Sequence, residues 1–220
     1  MGEELARGAR AGARAVAPVA LAVAAFGLTF GVLARDAGFG AVATVVFSAT
    51  TFAGSAQFAA ASVLSAGGTL VAAIVAAILL NTRYLPIGLS VAPTLRGPSW
   101  RRALKAQLVV DESWAIGHLG GGRFDPGRIM GAGIVLWCTW VGSTTIGVVA
   151  GDLLGDPRRL GLDAAFPALF LALLAGQVEG RRGLLAAACG AVIALALVSF
   201  VPVGVPIVAA AAACLLGLRR

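Results

Sequence analysis

"VVFSATTFAGSAQFAAASVLSAGG", residues 45–68, contains no charged residue. A stretch of that length can enter a bilayer. Its centre, Phe52-Ala53-Gly54-Ser55-Ala56-Gln57-Phe58, sets two polar side chains and a glycine among small residues. Gly and Ser weaken a helix, and Thr50 and Thr51 before them do little to support one. Ser55 and Gln57 are two positions apart, so one regular helix would turn them to different faces. A helix broken here would let both reach one cavity, and its half-helix end would offer unpaired N–H groups to an anion such as a carboxylate. The competing reading is packing, because small residues are common at helix contacts in membranes and Gln can bond a neighbouring helix. Whether residues 40–66 cross or re-enter decides the architecture.

The rest of the chain places this stretch in a membrane. The 220 residues are 59% hydrophobic and 12% charged, against about a quarter charged in a soluble domain. Mean hydropathy is +0.93. A net charge of +7 in a soluble protein would point to nucleic acid. Here the basic residues fall in short breaks between apolar runs with little aromatic interleaving, which is a topology signal, and no nucleic-acid partner is expected. Of the 17 basic residues only Lys105 is Lys, which fits the composition bias of an Ala- and Gly-rich chain. Cys138, Cys189 and Cys214 lie inside apolar runs without metal-type spacing, so they read as packing residues. The first apolar run has no convincing cleavage site and reads as retained.

Apolar runs cover 16–34, 40–66, 69–92, 129–151, 162–178 and 184–200, with a shorter run at 203–218 behind a Pro-Gly hinge. An eighth segment, 103–120, is long enough to cross but carries Lys105, Asp111, Glu112 and His118. Spanning segments must satisfy their own backbone groups, so they should be helical. The expected fold is an all-α polytopic membrane bundle of about 6–8 spans, with one or two broken or re-entrant segments. Residues 1–14 read as a basic cytoplasmic segment and 15–220 as a single transmembrane transporter domain.

Basic residues orient the chain. With Arg7, Arg10 and Arg14 inside, and with 40–66 and 103–120 both crossing, nine basic residues lie inside and six outside. With both re-entrant, thirteen lie inside and three outside. If only one crosses, the basic C-terminal half is turned outward, against the rule. The two segments therefore share one fate. Charge favours re-entry, while the uncharged length of 40–66 favours crossing. Either way both termini are expected in the cytoplasm of a plasma-membrane protein.

Three constellations carry candidate chemistry. Gly54, Ser55 and Gln57 form the first. In Asn81-Thr82-Arg83-Tyr84-Leu85-Pro86, an Arg deep in an apolar run precedes a proline that bends or ends the helix. An intramembrane Arg is costly and usually faces a partner or a water-filled cavity. Its planar fork suits a carboxylate, although it could also snorkel or pair with Asp111 or Glu112. In the third, Asp111 shares a helical face with Trp114, Ala115 and His118, whereas Glu112 lies on the face of Lys105 and Leu108. An acid in a dry cavity can exchange a proton near neutral pH or attract an ammonium, while a solvated surface helix is the plainer alternative. The expected substrate-binding set is Gly54, Ser55, Gln57, Asn81 and Arg83, with Asp111 and Glu112 as proton-coupling acids. His118 is the single histidine, so no metal site is expected, and no cofactor. Gly54-Ser55-Ala56 lacks the second glycine of a nucleophile elbow, and there is no phosphate loop. An enzyme is not expected.

These elements together resemble the AzlC family, the large subunit of bacterial branched-chain amino acid exporters. The matching pieces are FGLTFGVL at 26–33, FAGSAQF at 52–58, LLNTRYL at 79–85 followed by Gly88-Leu89-Ser90, and Asp111-Glu112-Ser113. Tyr84 departs from the pattern, where the family is associated with His. The resemblance weakens past Gly151. It implies a secondary transporter, driven by the proton motive force, that exports Leu, Ile, Val and often Met with a small AzlD-type membrane subunit. The alternatives are export of another small amphipathic solute, or a non-transporting assembly subunit.

Overall fold

The computed structural model describes residues 2–154, 171, 178, 180–201 and 205–214. The expected run at 162–178, and most of that at 203–218, lie outside the described residues. Among the described residues the chain is helical, with no strand beyond one isolated bridge between His118 and Phe124.

Two long helices form the spine. Helix α1, Gly2–Asp36, carries Glu3 and Glu4 in its first turn and Arg35 in its last, the charge order that complements the helix dipole. The basic N-terminal segment is thus a continuous extension of the first span. Helix α8, Pro126–Leu154, packs along α1. The two run parallel and touch backbone to backbone at both ends. A Cβ at Gly12 would meet the Arg128 carbonyl, and one at Gly131 the Ala9 carbonyl. Further along, a Cβ at Gly31 would meet the Thr144 carbonyl, and one at Gly147 the Leu28 carbonyl. Small residues spaced four apart permit this approach in a membrane, where packing rather than apolar burial joins helices.

Parallel spines require an odd number of crossings between them. The segment 40–66 does not supply one. It forms α2, Ala41–Thr51, and α3, Gly54–Ser65, separated by Phe52 and Ala53. Helix α2 starts beside the C-terminal end of α1, where Phe39 stacks on Phe47 at 6.1 Å. It descends to mid-span, where Trp137 donates to the Ala49 carbonyl at 3.0 Å. Helix α3 climbs back, with Gln57 beside Ser48 and with Ala59, Ala60 and Val63 packed near Phe47. The segment is re-entrant.

The crossing is made by α4, Leu70–Asn81, and α5, Tyr84–Val91, bent by 43° at their junction. Helix α4 packs against α3 through Ala73 and Ala76. Helix α5 ends where Val91 meets Val109, Phe124 and Ile129 near the start of α8. Segment 103–120 then enters from that end as α6, Ser99–Ala106, and α7, Asp111–Gly117. Its turn reaches mid-span, where Gln107 donates to the Thr50 carbonyl at 2.6 Å, and α7 returns along the start of α8. Ser113 braces this turn, accepting from the Val110 amide at 2.9 Å and donating to the Leu108 carbonyl at 2.8 Å. Both ambiguous segments are therefore half-span hairpins, inserted from opposite ends with their tips in contact. Helix α9, Gly180–Leu197, is apolar and long enough to span, and it packs on α10, Val205–Ala211. Together α1, α8, α9 and the bent α4–α5 pair supply four candidate crossings among the described residues.

Candidate functional site

The hairpin tips, the α4–α5 bend and the middle of α8 enclose a chamber of about 130 Å³. Trp140, the central residue of α8, lines it, so the chamber lies at mid-span. Arg83 enters from the two-residue break between α4 and α5. Its Nη2 donates to Ser55 Oγ at 3.0 Å and to the Tyr84 hydroxyl at 3.4 Å, and pairs with Asp111 Oδ2 at 3.0 Å. The guanidinium carbon also lies 5.1 Å from the Tyr84 ring centroid. All of these polar contacts use one nitrogen. Nε is buried without a partner, and Nη1 makes no bond among the described residues. The Arg83 and Asp111 side chains are 36% and 41% exposed, so the pair faces an open volume and not a packed interior.

The charges sit where helix ends can support them. Gly54 and Ser55 open α3, so their N–H groups have no intrahelical acceptor. Asp111 and Glu112 open α7, where carboxylates are favoured by the helix dipole. A sequence-level helical wheel separates these two acids, yet both line the chamber because α7 begins at its wall. Asp111 is paired. Glu112 has no ion-pair partner among the described residues. One guanidinium and two carboxylates thus meet beside the apolar side chains of Val23, Phe26, Phe58, Leu136 and Trp140.

The expected binding residues divide. Gly54, Ser55 and Arg83 line the chamber with Asp111 and Glu112. Asn81 lines a separate, larger cavity of about 470 Å³, with its Oδ1 buried and unpartnered. Gln57 is fully buried behind the chamber wall. It donates to Ser48 Oγ at 3.3 Å and accepts from Trp140 Nε1 at 3.0 Å, while Ser48 donates to Thr144 Oγ1 at 3.1 Å. His118 stacks on Trp114 at 5.8 Å and lines neither cavity. No cluster of metal-ligating side chains occurs among the described residues. Sequence reasoning missed Trp140 and Phe52. Trp usually belongs to the interfacial belt, so a Trp at the centre of an apolar run was a legible signal. Phe52 carried none.

A helical membrane protein with a charged chamber at mid-span, reached by broken helices, has the build of a solute transporter. The chain belongs to the AzlC protein family, whose match covers residues 18–154. It is 35% identical over 89% of its length to an uncharacterized membrane protein of Archaeoglobus fulgidus, covering 87% of that protein. It is 27% identical over 86% of its length to the inner membrane protein YgaZ of Escherichia coli, covering 81% of it. It is also 27% identical over 69% of its length to the branched-chain amino acid transport protein AzlC of Bacillus subtilis, covering 60% of that chain. No solved structure matches the chain. Family membership and the apolar helices make it a protein of the cell membrane and support a membrane-transport role.

Proposed function

We propose that this chain exports branched-chain amino acids, Leu, Ile and Val, with Met as a further substrate. It does so across the cell membrane as the large subunit of a two-component, proton-driven permease with a small AzlD-type partner. The observation that carries this reading is the chamber itself: a guanidinium with a free edge, two carboxylates and apolar walls at mid-span. That set is complementary to a zwitterion with an aliphatic side chain.

The substrate carboxylate accepts from Arg83 Nη1 and from the unpaired amides at Gly54 and Ser55, as anions do at helix N-termini. Its ammonium faces Glu112, because Asp111 is engaged by Arg83. The side chain rests on Val23, Phe26 and Leu136. An apolar wall separates one methylene from the next by only about 1–3 kcal/mol, so one chamber serves several aliphatic residues. Proton uptake by an acid biases the inward and outward states only if those states differ in affinity for the proton. Gln57 and Asn81 act outside the chamber, Gln57 by holding Trp140 in the wall.

The test uses cells that express the chain with its small partner and are loaded with a leucine-containing dipeptide. Rapid leucine efflux, lost in Arg83→Ala with the protein still in the membrane, supports export through the chamber. Well-expressed complex that moves neither leucine, valine nor methionine overturns it in favour of another amphipathic solute.

A further inference from the structure

The two cavities are separated by a thin partition. Phe52, Tyr84 and Val110 line both of them. The larger cavity runs from Leu95, Ser99 and Arg102, at the end of the molecule where α6 lies, up to Thr51 and Phe52 at the hairpin tip. Its volume of about 470 Å³ falls in the range of about 300–1,000 Å³ that small-molecule sites occupy. The chamber, at about 130 Å³, does not. Passage of a solute of amino-acid size from the larger cavity into the chamber requires the partition to move.

The three partition residues are not equally held. Val110 caps α7, and its amide is bonded to Ser113. The Tyr84 hydroxyl is tied to Arg83. Phe52 is the non-glycine residue with positive φ among those described, at φ 40° and ψ 50°. A bulky side chain in that region is strained, and such strain concentrates at clamps and switches. Its neighbours on the α2 side are pinned, because Gln107 and Trp137 donate to the Thr50 and Ala49 carbonyls. Helix α3 starts again at Gly54. The Phe52 ring is packed in the core, 7% exposed, so moving it without disturbing the half-helices requires rotation within the two-residue connector.

We propose that Phe52 is the inner gate of the transport path, and that the larger cavity is the vestibule through which a zwitterionic, apolar-side-chain solute passes between the basic face and the chamber. This rests on the chamber being the binding site, but its test does not depend on which solute binds. In a chain whose three cysteines are replaced, Val23→Cys places a thiol on the chamber wall and Ala92→Cys places one on the vestibule wall. Each is treated with a membrane-impermeant thiol reagent from either face, the basic face being the one that labels an exposed Arg101→Cys. Ala92→Cys should react rapidly from the basic face in every background. Val23→Cys should react slowly with Phe52 present and at least tenfold faster from that face with Phe52→Gly, which removes both the ring and the strain. Phe52→Leu should fall between, and it supplies the comparison if the glycine variant folds poorly. Equal rates for Val23→Cys across the series, or acceleration from the opposite face only, overturn the gate. An unreactive Ala92→Cys overturns the vestibule. Accelerated labelling in a chain that moves no amino acid would keep the gate and discard the substrate.

Discussion

Arg83 Nη2 and Asp111 Oδ2 meet at 3.0 Å, joining the bend between α4 and α5 to the first turn of α7. Neither residue lies within a regular span, and each enters the chamber because a helix breaks there. In the proposed binding mode a substrate carboxylate at Nη1 would share this guanidinium with Asp111. Sharing the charge would weaken the tie between the two elements, and an occupied site would release a conformational change in that way.

Arg83→Lys should fail to replace Arg83. A lysine ammonium can take the place of Nη2 beside Ser55, Tyr84 and Asp111, but it has no second nitrogen in a planar fork to offer a substrate carboxylate. Loss of a charge-assisted bond worth about 1.5–3 kcal/mol corresponds to about a tenfold to hundredfold rise in half-saturation concentration. Leucine flux measured against concentration checks this.

The two acids should separate by pH. If inward proton movement drives export, raising external pH starves the carrier of protons and slows wild-type efflux. Glu112→Gln, neutral at every pH, should show low efflux that is flat with external pH. Asp111→Asn should keep the pH response and lower half-saturation, because it leaves Arg83 to the substrate carboxylate alone without removing the unpaired acid. The reverse pattern would make Asp111 the coupling group.

Much of this site was legible in the sequence because membrane burial makes polar residues conspicuous. Ser55, Arg83, Asp111 and Glu112 stood out among apolar neighbours, and the structure brings all four to one chamber. The fold was legible to the level of its spans, and the charge count already favoured paired re-entrant segments. The rest depended on backbone breaks. Asp111 and Glu112 share a cavity only because α7 starts at its wall, which a helical wheel drawn over 103–120 cannot express. Gln57 and Ser55 do fall on different faces, as their spacing requires, and Gln57 turns to Ser48 and Trp140. Phe52 depends on a left-handed backbone angle, for which a phenylalanine gives no warning.

Gln57→Leu should be a stability variant rather than a binding one. It leaves Trp140 Nε1 and Ser48 with missing partners inside the protein, at a cost of about 1–3 kcal/mol. The melting temperature in detergent should fall by several degrees, while half-saturation for leucine in the folded fraction changes little.

The α1–α8 spine should reject side chains at its glycines. Gly31→Val or Gly147→Val drives a side chain into a facing carbonyl, so little folded protein should reach the membrane. Gly142, on the same α8, has open space around it, with nothing within 4 Å of where a methyl group would sit. Gly142→Ala should be tolerated or gain up to about 1 kcal/mol in helix propensity. Fluorescence-detected size-exclusion profiles distinguish these outcomes.

Counterflow in proteoliposomes tests the transport role of the chamber most directly. The chain and its small partner are reconstituted with unlabelled leucine inside, and accumulation of external labelled leucine is followed for wild type and for Arg83→Ala. Wild type should accumulate label rapidly and Arg83→Ala should accumulate none above empty liposomes, with the variant melting within a few degrees of wild type. Equal counterflow by a folded Arg83→Ala protein would contradict the assignment of the chamber as the transport site.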